Sequence, residues 1–225
     1  MKKDAKKLIN FIDQSPTAFH VVKNAENLLQ EKGFEKLDLS SKWEIKKEGK
    51  YYVTKNGSSL VAFKVGKGDI EENGFKLIGT HTDSPTFRIK PDPEIVESDH
   101  YLKLNTEVYG GPILNTWLDR PLSMAGRVSI KSGNPLNPDY QLVNFNKPLL
   151  VIPNLAIHLN RKVNEGVELN KQSDILPIMR MIEEDFEKDN YLQRLLSEEI
   201  GVEQKQIIDF DLFLYDPSGN EVASS

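Results

Sequence analysis

Along the first part of the chain the apolar positions recur at helical spacing. Ala18, Val22, Ala25 and Leu29 form a stripe that Val21 and Leu28 widen, which predicts an amphipathic helix over residues 16–32 after a first helix over 4–13. Gln14-Ser15-Pro16 separates the two. Ser15 is the expected N-cap, Pro16 the first helical residue, and Gly33 stands where a left-handed C-terminal cap is expected. From Trp43 the period shortens. Trp43-Glu44-Ile45, Tyr51–Thr54 and Leu60–Val65 are short aromatic or β-branched runs and read as strands. Asn56-Gly57 between the last two is a hairpin signal. Gly66-Lys67-Gly68-Asp69 and Glu71-Glu72-Asn73-Gly74 form a loop; no Gly-Lys-Ser/Thr or following helix completes a phosphate-binding motif.

That loop leads into Phe75-Lys76-Leu77-Ile78-Gly79-Thr80-His81-Thr82-Asp83-Ser84-Pro85. The apolar run reads as a short buried strand broken at Ser-Pro. The carboxyl ends of strands in open α/β sheets form the ligand crevice, and His81 and Asp83 emerge at such an end. Imidazole is a common metal ligand whose second ring nitrogen usually donates to a carboxylate. His81 thus reads as a metal ligand with Asp83 orienting it or facing the metal. The same residues also read as an ordinary strand-end histidine with Asp83 or Ser84 capping a helix, and the short motif leaves both readings open.

Beyond Phe87–Lys90, Pro91-Asp92-Pro93 reads as a crossing between domains. The text that follows is mostly β. Leu102, Leu104, Thr106 and Val108 alternate with polar residues in a strand over 101–109, and Leu122, Met124, Val128 and Ile130 share one parity in a strand over 122–131. Further strands are predicted over Tyr140–Phe145, Leu149–Ile152 and 209–214, and a charged helix over Glu183–Ile200 with Phe186, Leu192, Leu195, Leu196 and Ile200 on its apolar side. Glu183-Glu184 and Glu198-Glu199 are read as a solvated face, because adjacent helical residues point about 100° apart. His20 is read as structural, as is His158 between Ile157 and Leu159. Asp119 and Arg120 read as a turn and an exposed or paired guanidinium rather than as catalytic groups.

Composition narrows the function classes. The 225 residues carry 34 acidic and 29 basic side chains, interspersed, so no basic face suggests a nucleic-acid partner. With no cysteine, thiolate zinc sites, disulfides and a cysteine nucleophile are excluded, and any metal must sit on His, Asp and Glu. No apolar run approaches the ~20 residues that span a bilayer. A cytoplasmic protein without membrane contact is expected.

Several clusters, taken in order, resemble one family. They are Ser15–His20, Tyr51–Asn56, Gly79–Pro85, Tyr109-Gly110-Gly111, Thr116-Trp117-Leu118-Asp119-Arg120, Ala125–Val128 and Ile152–Leu159. Together they are similar to the aspartyl aminopeptidase family, zinc peptidases that include vacuolar aminopeptidase I. The resemblance implies an α/β fold: part of an α/β/α proteolytic domain over residues 1–91, an inserted β-rich dimerisation domain over 92–216, and a return segment over 217–225. It implies that His81 is a zinc ligand, that Asp83 orients it, and that His158 reaches into a neighbouring subunit's active site. The implied reaction removes an amino-terminal residue, acidic ones among them, from a peptide substrate, with two zinc ions, a bridging hydroxide and a glutamate base; the implied assembly is a homo-oligomer.

The family's other metal ligands and its general base are expected beyond Ser225. One matched ligand cannot hold a two-metal site. The 225-residue chain is therefore expected to be inactive alone, as the amino-terminal portion of a longer enzyme or a shortened natural relative. The alternative is a catalytically inactive assembly or regulatory module derived from the family.

Overall fold

The computed structural model describes residues 2–183 and 190–220. They form two compact units, one within Met1–Ser84 and one spanning Pro85–Asn220. The first unit opens with α1 (Lys2–Asp13) and α2 (Ala18–Glu31). Helix α2 starts two residues later than the sequence predicts, with Thr17 rather than Ser15 at the N-cap and in extended backbone. The hydroxyls are used differently: Thr17 Oγ1 is hydrogen-bonded to His20 Nδ1 at 2.8 Å, and Ser15 Oγ accepts from Asn24 Nδ2 at 3.0 Å. At the other end Gly33 adopts φ 75°. Its N–H reaches Gln30 O and the N–H of Phe34 reaches Leu29 O, the paired bonds of a Schellman stop.

Three strands complete this unit: β1 (Glu35–Lys36), β2 (Lys50–Lys55) and β3 (Ser59–Lys64), in the order β1-β2-β3. Asn56 and Gly57 both take positive φ between β2 and β3, and the hairpin pairs Lys55 with Ser59. Tyr51, Tyr52 and Val53 of β2 are buried along with Phe19 and Val22 of α2, and Gln30 Nε2 donates to the Tyr52 hydroxyl at 2.7 Å. Trp43–Ile45 is not a strand. Trp43 instead stacks on Phe63 and donates its indole N–H to the Asp38 carbonyl. The loop at 66–74 contains a short helix, α3 (Ile70–Asn73), whose first turn is capped by Asp69.

The segment Phe75–Thr80 corrects the sequence reading most. It has no regular structure, and Leu77 and Ile78 are 90% and 99% exposed. Burial of such a segment needs a neighbour to take its backbone groups and its side chains, and among the described residues no strand pairs with it.

The second unit is a six-stranded antiparallel sheet of β4 (Thr86–Glu97), β5 (Tyr101–Tyr109), β6 (Ser123–Ile130), β7 (Asp139–Asn144), β8 (Ile178–Met181) and β9 (Ile207–Tyr215), in the order β7-β6-β9-β4-β5-β8. Pro91-Asp92-Pro93 lies inside β4, where the register with β5 shifts between Ile89 and Glu94. Prolines lack the N–H a ladder needs and a bulge accommodates them; Asp92 takes φ 48° there. Leu149–Ile152 makes isolated bridges rather than a full strand. One face of the sheet, with Phe87, Ile89, Leu104, Met124, Val128, Leu212 and Leu214, is buried against α4 (Tyr191–Ile200) through Leu192 and Leu196. The helix begins at Tyr191 rather than Glu183; the predicted positions Glu184 and Phe186 lie outside the described residues. Glu94 of β4 accepts the Leu192 N–H at 2.8 Å, which places a carboxylate at the positive end of the helix. No helix of the described residues is long and apolar enough to cross a membrane.

A methyl group on Gly126 would sit 1.9 Å from the Asp211 carbonyl oxygen on β9. Gly126→Ala is expected to destabilise the second unit by about 3 kcal/mol, measured by urea unfolding with Trp117 fluorescence in a Trp43→Phe background. In the first unit, burial pushes the His20 imidazole down from 6.5 to about 4. The unfolded chain then binds a proton between those values that the fold does not, so the stability held by neutral His20 is complete above pH 6.5 and is lost as pH falls toward 4. The unfolding midpoint seen by Trp43 fluorescence should fall across that window, and His20→Gln should flatten the fall.

Candidate functional site

His81 and Asp83 follow the exposed 75–80 segment in the first unit. Thr82 donates its hydroxyl to the Ser58 carbonyl at 2.7 Å, which ties the segment to the turn between β2 and β3. On either side of that tie, His81 Nδ1 and Asp83 Oδ1 lie 2.9 Å apart. A carboxylate accepts only, so the pair is satisfied by the tautomer with the proton on Nδ1, and the lone pair on Nε2 then faces outward for a further partner. The His81 side chain is 90% exposed and that of Asp83 37%. The alternative reading of Asp83 or Ser84 as a helix cap does not hold, because the next element is β4.

A zinc ion asks for three or four ligands. Among the described residues no three His, Cys, Asp or Glu side chains converge on a point that would hold a metal. His81 and Asp83 offer one imidazole and a carboxylate hydrogen-bonded to it, and they do not make a complete metal site by themselves. His20 Nδ1 is engaged by Thr17 Oγ1 at the start of its own helix, and burial pushes its imidazole down to about 4. His100 lies in the tight turn after β4, where its N–H donates to Glu97 O.

His158 belongs to the second unit. The chain leaves the core there after buried Ile152, and residues 153–159 are exposed, including Leu155, Ile157 and Leu159. Ala156 O accepts from the N–H groups of Leu159 and Asn160, so His158 sits in a tight turn at the tip. Its environment is solvent.

The loop 110–121 supports this tip. Leu118 bridges to Ile152, and the Asp119 N–H donates to Ile152 O at 2.9 Å. Asp119 takes φ 56°, the turn the sequence suggests, while Arg120 pairs with Asp216 at 2.9 Å. The Asp119 carboxylate also accepts from the Asn154 N–H at 2.9 Å. Sequence reasoning missed that bond; its one trace is an aspartate, a residue that tolerates left-handed backbone, directly before Arg120-Pro121.

The model of the family described as aminopeptidase I zinc metalloprotease (M18) matches residues 11–223. A probable M18 family aminopeptidase 2 of Clostridium novyi is 58% identical over 214 residues, which is 95% of this chain and 49% of that protein. In the cryo-EM structure of the Ape4 and Nbr1 complex, a chain 35% identical superimposes with a TM-score of 0.90, covering 99% of this chain and 46% of that one. The mApe1 dodecamer of S. cerevisiae is 29% identical with a TM-score of 0.80, over 98% of this chain and 49% of that one. The chain thus spans about half the length of the relatives it matches.

Proposed function

The chain belongs to the aminopeptidase I zinc metalloprotease (M18) family, and from that membership we propose that the whole protein is a zinc-dependent aminopeptidase that removes amino-terminal residues, acidic ones among them, from peptides. The observation that carries the reading is the hydrogen-bonded His81–Asp83 pair inside a family match that runs from residue 11 to 223. In this reading His81 binds zinc through Nε2, and Asp83 holds the Nδ1 proton and fixes the plane of the ring. The remaining ligands come from outside the described residues, and the 225-residue chain is inactive alone. Zinc, when bound, polarises a carbonyl and raises the acidity of water.

His158, exposed at the tip of its turn, is proposed to donate a hydrogen bond to the carbonyl oxygen of a peptide bound in a neighbouring subunit, where negative charge develops. The Pro85–Asn220 unit is proposed as the homo-oligomer contact. The existence of a dodecameric relative supports that assembly, and the proposed location is the cytoplasm.

The test compares zinc content and peptidase activity of this chain with those of the longest reading frame that contains it, on aspartyl- and leucyl-anilides before and after chelation. Zinc-dependent activity in the long form is expected, with the aspartyl substrate preferred; a long form that hydrolyses neither substrate overturns the reading. Two variants of the long form refine it. Asp83→Asn should lower zinc affinity ~10–100-fold, read by competition with a chromogenic chelator. His158→Ala should lower kcat by roughly 10²-fold with KM little changed.

A further inference from the structure

Asp119 stands apart from its neighbours in carrying two bonds to one strand of chain while holding a left-handed backbone of φ 56°. That conformation costs a non-glycine residue free energy and persists where surrounding contacts impose it. Here the N–H of Asp119 goes to Ile152 O and its Oδ1 receives the Asn154 N–H, both at 2.9 Å. The two bonds straddle Pro153. Proline has no N–H, so the first amide donor beyond the core is that of Asn154, and Asp119 takes it.

We propose that Asp119 is a positioning residue for His158: it clamps both sides of the point where the 153–160 loop leaves the core and so fixes where the imidazole is presented. The inference rests on the proposed role of His158. Among the described residues, these two are the last bonds that join the chain to the body of the unit before His158.

The clamp is itself held firmly. Trp117, in the 3-10 turn Leu114–Trp117, packs edge-on against buried Phe87 with ring centroids 5.0 Å apart. Arg120, on the other side, pairs with Asp216 just past β9. Ile152 is fixed in turn, since Val151 exchanges backbone hydrogen bonds with Ile178 of β8. The loop beyond has three exposed aliphatic side chains, Leu155, Ile157 and Leu159, and no burial of its own to order it. Orientation must therefore enter from the root. A hydrogen-bond donor that wanders loses most of its effect on a developing charge, because misplacement by about 1 Å can cost ~10²-fold in rate.

The test uses the longest reading frame containing the chain and separates the carboxylate from the backbone. Asp119→Gly keeps the left-handed backbone free of strain and keeps the N–H, and deletes only the acceptor for Asn154. Asp119→Asn keeps an acceptor oxygen. In Asp119→Gly, kcat should fall ~10-fold or more with KM within about twofold, and Asp119→Asn should recover it to within about threefold. In a His158→Ala background, Asp119→Gly should cause no further loss, because it acts through the ring that is gone. Amides 154–160 should exchange faster in Asp119→Gly while those of β6 and β9 do not. A full additional loss in the double variant, or unchanged exchange at 154–160, overturns the clamp. An unchanged kcat in His158→Ala alone overturns the role of His158 instead, which keeps the two failures apart.

Discussion

The insertion of β9 between β4 and β6 is the constraint on which the second unit depends. Its residues come from the far end of the unit, and the Asp211 carboxylate accepts from Arg127, 84 positions earlier, at 2.7 Å and from Arg88, 123 positions earlier, at 2.6 Å. Glu107 on β5 lies 3.7 Å from Arg88 and extends the alternation of charge across the outer face. These groups are partly exposed, so each pair contributes at most about 1 kcal/mol. Their larger effect is on register: a slip of one residue would turn Asp211 into the core and Leu212 out of it. The same strand meets Gly126 so closely that a side chain there has no room. Closing this sheet requires contacts of long sequence separation, which makes for slow folding and a rigid product.

That rigidity is what the exposed loops borrow. The 110–121 loop rests on Phe87 through Trp117 and on Asp216, just past β9, through Arg120, and it holds the root of the 153–160 loop through Asp119. The apolar face beneath them, with Leu122, Met124, Leu150 and Ile152 fully or almost fully buried, fixes the ends of both loops. Binding groups presented in this way gain position without any burial of their own. His158 lies at such a tip.

The first unit is organised otherwise. A two-helix, three-strand body packs around Tyr51, Tyr52, Phe19 and Val22. From it the 75–81 segment runs out with its apolar side chains in solvent, fastened again at Thr82. The His81–Asp83 pair sits at that fastening. Its geometry depends on contacts within a few residues, which explains why the pair forms although no sheet strand carries it.

The sequence by itself determined the elements whose period is unambiguous. The second helix, read over 16–32 and formed over 18–31, with its Gly33 stop, the Asn56-Gly57 hairpin and strands β5, β6 and β9 follow from local spacing and turn chemistry. It also brought His81 and Asp83 within two residues of each other but left open whether they pair or whether Asp83 caps a helix; the structure joins them at 2.9 Å. The tertiary structure alone decided what depends on partners distant in sequence. Pro91-Asp92-Pro93 reads locally as a break, yet the pairing of β4 with β5 carries the strand through it as a bulge. Phe75–Thr80 reads as a buried strand, yet burial requires a neighbour, and no periodicity states whether one is there. The Asp119–Asn154 bond spans 35 positions, and only the bridge between Leu118 and Ile152 brings its two ends together. An aspartate in a turn announces its tolerance for left-handed backbone, but which amide its carboxylate will hold is settled by the fold.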